Sequence, residues 1–253
     1  MKIAILIQGE PRFCKEFDVF LENLKDTNHE YDWYFWLWGP NPGPEVHGFN
    51  LIADCWRNYT AEWATEKLQS LLPPNHKVVK VEVHPQDNLK FPVITNKAGE
   101  THQTNVWKMF LSMRNANKLR TDSNTVYDMV IKARPDVGAV NLNVSNCFRE
   151  LIINPNQVIM CKGEWHHFGY WGTKVNDWLA VSTPHTMTTY CGVYDKILEY
   201  CNQGFIFHPE SMLSYHLHKN DVKITYGEFE VSLRQLGRTD ENHKYWSDFG
   251  KWA

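Results

Sequence analysis

The sequence predicts an α/β protein with a mainly parallel sheet flanked by helices, followed by an irregular C-terminal region. Two observations carry this prediction: segments of strand length alternate with segments of helical periodicity up to residue 136, and the first strand is a continuous apolar run. Such alternation is typical of right-handed βαβ units. No linker-like stretch interrupts the 253 residues, so we expect one domain, 1–253.

The first five elements are predicted from their apolar patterns. Residues 3–7 form an apolar run, as in a strand buried on both faces. In residues 13–24 apolar side chains recur at helical spacing, and the aromatic residues of 31–38 favour a second strand. A helix is predicted over 61–72, where two prolines follow and end it. Residues 78–83 alternate Val with Lys and Glu, which indicates a half-exposed strand.

The later elements follow from the same patterns. Residues 106–119 place their apolar side chains on one helical face, and residues 126–131 form the strand that leads to residue 136. Beyond that point the pattern becomes irregular. We expect a short strand at 158–160 and helices near 187–200 and 210–218.

Composition excludes some function classes. The formal net charge is −3 with no block of Lys and Arg, which argues against nucleic acid as a partner. The 6 cysteines form no C-x-x-C pair, so we expect reduced thiols and a cytoplasmic protein. The apolar N-terminal run is too short to span a membrane. The 11 Trp residues suit sugar rings as well as a core, and core packing explains most of them.

The strand that ends near residue 131 is followed by Lys132-Ala133-Arg134-Pro135-Asp136. In an extended segment Lys132, Arg134 and Asp136 would project to one side. Two cations suit a diphosphate, and a carboxylate is the kind of ligand that Mg²⁺ or Mn²⁺ prefers. The alternative is a salt-bridged strand end.

This segment resembles the end of the central strand in GT-A fold glycosyltransferases, especially the small lipopolysaccharide and capsule-type families. Their Asp-x-Asp motif, or an Arg-x-Asp variant, matches Arg134-Pro135-Asp136. The resemblance implies a Rossmann-type nucleotide-binding half, 1–140, and an acceptor-side half, 141–253. It also implies that Asp136 binds the donor's metal. Arg134 takes the place of the first Asp, and an Arg there could neutralise a diphosphate without a metal.

A second candidate is Gln8-Gly9-Glu10-Pro11-Arg12, directly after the first strand. Glycine lets a ligand approach the backbone, and an arginine near a helix start suits phosphate. The segment resembles the Gly-x-x-Arg start of the same transferases, which implies that Gln8, Gly9 and Arg12 contact the nucleotide. The alternative is an ordinary strand-to-helix turn.

Two carboxylates are candidates for the catalytic base. Asn176-Asp177-x-x-Ala180 resembles a family segment whose acidic residue faces the acceptor, and Trp178 or Trp171 would stack on a sugar. His208-Pro209-Glu210 resembles a segment at the active-site rim. The resemblance thus implies Asp177, or else Glu210, as the base. The alternative for each is helix capping.

The sequence therefore predicts transfer of a sugar from a nucleoside diphosphate sugar to a hydroxyl of a glycan, by an inverting displacement or a retaining route. Mn²⁺ or Mg²⁺ would assist if Asp136 ligates it. A non-catalytic carbohydrate-binding protein is the main alternative, and a sulfotransferase or nucleotidyltransferase is the second. Peripheral membrane contact and oligomeric state stay open.

Overall fold

The computed structural model describes residues 1–11, 13, 15–26, 28–39, 59–86, 89–95, 103–161 and 175–233. Within these ranges the chain forms a seven-stranded mixed sheet with helices on both faces and a separate two-stranded sheet. The α/β class and the mostly parallel, helix-flanked sheet predicted from the sequence are confirmed.

Most helices and strands lie close to their predicted positions. The strands are β1 (Lys2–Gly9), β2 (Glu30–Trp38), β3 (His76–His84), β4 (Met129–Ala133), β5 (Val137–Val140), β6 (Gln157–Met160), β7 (Leu179–Ser182), β8 (Lys223–Tyr226) and β9 (Glu230–Leu233). The helices are α1 (Lys15–Glu22), α2 (Ala61–Leu71), α3 (Gln103–Asp122), α4 (Val144–Ile153), α5 (Pro184–Cys191), α6 (Ile197–Asn202) and α7 (Pro209–Lys219), with a 3-10 turn at Gly192–Lys196. Local chemistry fixes some of these ends: the Thr60 side chain accepts from Trp63 N at 3.2 Å and caps α2.

The large sheet has the strand order β3-β2-β1-β4-β7-β6-β8. Strand β7 is antiparallel to both of its neighbours, whereas the other neighbouring strands pair in parallel. Strands β5 and β9 pair with each other outside this sheet. Because β7 runs against the others, the residues that precede it lie at the same edge as the carboxyl ends of the parallel strands.

The strand order reverses direction beside β1. From β1 the chain steps through β2 to β3, and then returns to place β4 on the other side of β1. Helices α1 and α2 pack on one face of the sheet and α3 packs on the other, as right-handed crossovers require when the direction of travel reverses. The crevice beyond the carboxyl ends of β1 and β4 is therefore a switch point, which is where such sheets bind ligands.

Strand alternation divides the core into two layers. In β1, Ile3, Ile5 and Ile7 pack with α1, α2 and α4, whereas Ala4 and Leu6 pack with α3 and with the helices α5 to α7. All five side chains are fully buried. Burial of each large aliphatic side chain contributes about 1.5–3 kcal/mol, so β1 is anchored from both faces and holds its carboxyl end in place.

Two predictions for the chain after residue 131 are wrong in detail. Strand β4 ends at Ala133, and Val137 N donates to Arg134 O at 3.3 Å. Proline favours the second position of such a turn, so the residues up to Asp136 turn rather than continue an extended strand. Asn176 Oδ1 accepts from Trp178 N at 3.2 Å, but the strand β7 follows instead of a capped helix. Helix α4 and the strands β5, β7, β8 and β9 were not predicted.

Candidate functional site

Four segments meet beside the switch point. The register pairs Ile7 with Ala133 and Ala133 with Leu179, so the end of β1, the β4–β5 turn and the residues before β7 lie at one edge. Glu210 in the N-terminal turn of α7 lies close enough for the charges of Asp177 and Arg134 to shift its pKa, so this turn belongs to the same edge. Apart from Arg12, which lies outside the described residues, the carboxylates and cations singled out in the sequence are thus gathered at one edge of the sheet.

The centre of this group is the Arg134 guanidinium. Its Nε and Nη2 donate to the two oxygens of Asp136 at 2.9 and 2.7 Å, and its Nη1 lies 3.7 Å from Asp177 Oδ2. Desolvation lowers the pKa of Arg134, but Asp136, Asp177 and more weakly Glu10 outweigh it, so the pKa lies above its ordinary value. The Arg134 side chain is 27 % exposed, so this fixed positive charge is partly open to solvent.

Lys132 lies in the interior, beneath the Arg134–Asp136 ion pair. Its side chain is fully buried, and its ammonium donates to the main-chain oxygen of Asp177. Burial lowers the pKa of Lys132 to about 8, and the Asp177 charge partly offsets this effect. In this arrangement Lys132 cannot touch a diphosphate, so its part in the site is to position the segment before β7 and to contribute charge from below.

Asp177 and Glu210 differ in their access to solvent. The Asp177 side chain is 6 % exposed and turned towards Arg134, whereas Glu210 is 22 % exposed. Burial, and then the charge of Asp177, raise the pKa of Glu210 to about 7. Glu210 Oε2 lies 3.1 Å from His208 Nδ1. Glu210 is therefore the carboxylate with more access to solvent, and its pKa lies close to neutral pH.

Several buried polar atoms here have no hydrogen-bond partner among the described residues. They are Asp177 Oδ2 and the Tyr190 hydroxyl, whose pKa is raised by burial and then by the Asp177 charge. Glu210 Oε2 also forms no hydrogen bond of regular geometry, but it is ion-paired with His208. Buried polar atoms are seldom left without partners in proteins. We therefore expect this corner to accept a hydroxyl group of a ligand, or water.

The segment after β1 is only partly described. Gln8 is buried, and its side-chain oxygen accepts from the hydroxyl of Ser112 on α3. Gly9 ends β1 with a φ of 113°, and apart from its chain neighbours no atom of the described residues lies within 4 Å of the position where a Cβ would be. This open backbone allows the close approach that was predicted. Arg12 and Trp171 lie outside the described residues.

The arrangement does not fit a divalent metal on Asp136. Both oxygens of that carboxylate accept from Arg134, so an ion bound there would lie beside the guanidinium. Two unit charges 4 Å apart at an effective dielectric constant near 20 repel by about 4 kcal/mol, and a divalent ion doubles that. Among the described residues, no three His, Cys, Asp or Glu side chains could hold a metal ion.

Glu10, Tyr190 and His208 belong to this group but were given no role of their own from the sequence, although Glu10 and His208 lie within the candidate segments. Glu10 lies within the quoted segment after β1, and its charge acts on Arg134 and on Tyr59. A carboxylate directly after a buried strand was therefore a visible signal. Tyr190 had no comparable signal, because only the packing of α5 brings it near Asp177.

Comparison with protein-family models and with curated proteins found no match to this chain. In the described part of the chain, no helix is long and apolar enough to cross a membrane.

Proposed function

We propose that the protein is a glycosyltransferase of the GT-A type, which moves a sugar from a nucleoside diphosphate sugar to a hydroxyl of a glycan. The observation that carries the proposal is the Arg134 guanidinium, held by Asp136 at the switch point between β1 and β4. An anionic group bound in that crevice would meet a fixed cation.

The donor would bind along the ends of β1 and β4. The backbone at Gly9 admits the nucleotide closely, and Gln8 and Arg12 flank it in the sequence. Arg134 would donate to the diphosphate with the N–H groups that Asp136 does not use, and Lys132 would add its charge from below. This preorganised positive charge lies where negative charge develops as the diphosphate departs.

The transfer step follows from these positions. The acceptor oxygen forms a bond to the anomeric carbon of the sugar, and the bond from that carbon to the diphosphate oxygen breaks. The electron pair leaves with the diphosphate, and the acceptor's proton passes to Glu210. Asp177 orients Arg134 and raises the proton affinity of Glu210. The roles of the two carboxylates are thus the reverse of the order expected from the sequence.

A panel of nucleotide sugars, assayed for release of the nucleoside diphosphate in the presence of mixed glycans, tests the proposal. We expect one donor to be turned over, and Arg134→Ala to lower that turnover by about 10²–10³, the usual effect of removing a group that stabilises a developing anion. Arg114→Ala is the matched control, because Arg114 pairs with Asp195 at 3.4 Å, away from the site. It should keep full turnover.

Thermal unfolding separates the alternatives. A nucleoside diphosphate present at about 100 times its dissociation constant should stabilise the folded protein by about 2.7 kcal/mol. A carbohydrate-binding protein would respond to glycans and not to UDP or GDP. The release assay distinguishes the second alternative, since a sulfotransferase or nucleotidyltransferase would release no nucleoside diphosphate from a sugar donor.

Stabilisation by glycans but not by UDP or GDP, or no release of nucleoside diphosphate from any sugar donor, would refute the proposed function.

A further inference from the structure

Arg134 is surrounded by acidic side chains from separate parts of the chain. Asp136 comes from the β4–β5 turn and binds it through two hydrogen bonds, whereas Asp177 precedes β7 and lies 3.7 Å away. Glu10 after β1 and Glu210 at the start of α7 also interact electrostatically with it. One guanidinium therefore balances carboxylates from four segments.

Among the groups in direct contact with Arg134 or with the Asp177 segment, and leaving aside Glu10 and Glu210, the charges are balanced. Lys132 and Arg134 carry two positive charges, and Asp136 and Asp177 carry two negative charges, within one contiguous group. A divalent cation would have to displace the guanidinium from Asp136 or bind beside it against electrostatic repulsion. Asp177 Oδ2 is buried, points towards Arg134 and has no hydrogen bond among the described residues. It is the oxygen that a cation in place of Arg134 would gain.

We infer that the Arg134 guanidinium occupies the position of a divalent cation in this site, so that nucleoside diphosphate binding and sugar transfer need no metal. This inference rests on the proposed function for its catalytic part. Its structural part does not: without the guanidinium, Asp136 and Asp177 together would attract a cation. Removal of Arg134 should therefore create a metal site that the wild-type protein lacks.

Electron paramagnetic resonance of Mn²⁺ in solution measures this directly, without any donor. We expect Arg134→Ala to bind one Mn²⁺ at least about 100-fold more tightly than the wild type, because the loss of one neighbouring positive charge removes a large repulsion. Arg114→Ala should behave as the wild type does. The double variant Arg134→Ala, Asp136→Asn should lose the new site.

Activity supplies the second measurement. The wild-type protein, treated with EDTA, should keep its rate of nucleoside diphosphate release, whereas added Mn²⁺ should restore part of the rate of Arg134→Ala. Stoichiometric Mn²⁺ binding by the wild type that Asp136→Asn abolishes, or a loss of activity of about tenfold or more in EDTA, would overturn the inference. If Arg134→Ala does not fold, Arg134→Gln replaces it.

The two proposals fail in different ways. A wild-type protein that turns over no nucleotide sugar would refute the proposed function, yet the Mn²⁺ titrations would still decide whether Arg134 stands in for a cation. A metal-dependent transferase would refute the inference and leave the proposed function intact.

Discussion

At the scale of single residues, the site depends on two carboxylates with different surroundings. Asp177 is nearly covered, faces Arg134 and is tied to Lys132 through its main-chain oxygen. Glu210 is more exposed, and burial together with the charge of Asp177 raises its pKa to about 7. A base with a pKa near the working pH combines the ionised form with a strong affinity for the proton. These properties favour Glu210 as the proton acceptor.

The pH dependence of kcat/KM tests this assignment. Because the pKa of Glu210 lies above its ordinary value of 4.5, the ionised form appears only as the pH rises, and kcat/KM should increase through about pH 7. Asp177→Asn removes a neighbouring negative charge and should move this rise to lower pH. Glu210→Gln should lower the rate by about 10²–10⁴ and leave UDP and GDP binding intact.

Glu199→Gln is the matched control, since Glu199 lies on the surface and pairs with Lys196 at 2.8 Å. Its rate and pH profile should be those of the wild type. If Glu210→Gln kept its activity while Asp177→Asn lost it at every pH, the base would be Asp177 and the order expected from the sequence would be right.

At the scale of elements, the site is built from the ends of strands. Strand β1 is anchored by apolar side chains on both faces and stops at Gly9, whose φ of 113° is a conformation that side-chain-bearing residues rarely adopt. Strand β4 stops one residue before Arg134 because Pro135 starts a turn. The residues that end these strands therefore also determine where ligand-binding groups lie.

Gly9→Ala tests the link between this strand end and the ligand. Backbone strain at a positive φ should lower the free energy of unfolding by about 1–2 kcal/mol. Gly204 is the matched control, because its φ is 90° and its Cβ position is also open. Both alanine variants should lose similar stability in urea titrations, but Gly9→Ala alone should weaken the binding of UDP or GDP. Equal nucleotide affinity in the two variants would separate Gly9 from the donor site.

At the scale of the whole molecule, β4 joins the functional edge to both core layers. Its apolar side chains alternate between the layers, with Met129 and Ile131 on one side and Val130 on the other. Lys132 is the exception, since a charged side chain occupies a fully buried position in a central strand. Burying a charged group lowers the free energy of unfolding unless its partners compensate fully. We therefore expect Lys132 to make the wild-type protein less stable than an apolar residue at this position would.

Lys132→Met should therefore stabilise the protein at pH 7. The pKa of Lys132 falls from 10.5 to about 8 on folding, which corresponds to a penalty on the order of 3 kcal/mol. Between these two values the unfolded chain holds the proton and the folded one does not, so the wild type gains stability as the pH rises from about 8 to 10.5. The difference in the free energy of unfolding between Lys132→Met and the wild type should therefore shrink between about pH 8 and pH 10.5.

Urea titrations at a series of pH values measure both effects, with Ile131→Ala as a control that should lose about 2–5 kcal/mol at every pH. A Lys132→Met variant that is less stable than the wild type at pH 7 would mean that the hydrogen bond to Asp177 outweighs the cost of burying the charge.

Much of the fold could be predicted because its signals are local. The apolar run of β1, the aromatic strand β2 and the helical spacing of α3 each lie within one window of the sequence, and the structure confirms all three. Strand β7 was missed because Leu179–Ser182 is only four residues long. Such a short segment has no periodicity that separates it from a loop.

The sequence by itself determined the main elements and the segments that carry the candidate chemistry, because the periodicity of apolar residues and the turn-forming Pro135 act over a few neighbours. Only the tertiary structure decided that Arg134, Asp177 and Glu210 share one site, that Lys132 is covered, and that burial raises the pKa of Glu210 to about 7. The physical reason is that burial and electrostatic interaction depend on distance in space. Those distances were set when β7 paired with β4 and α7 packed against α5 and β8.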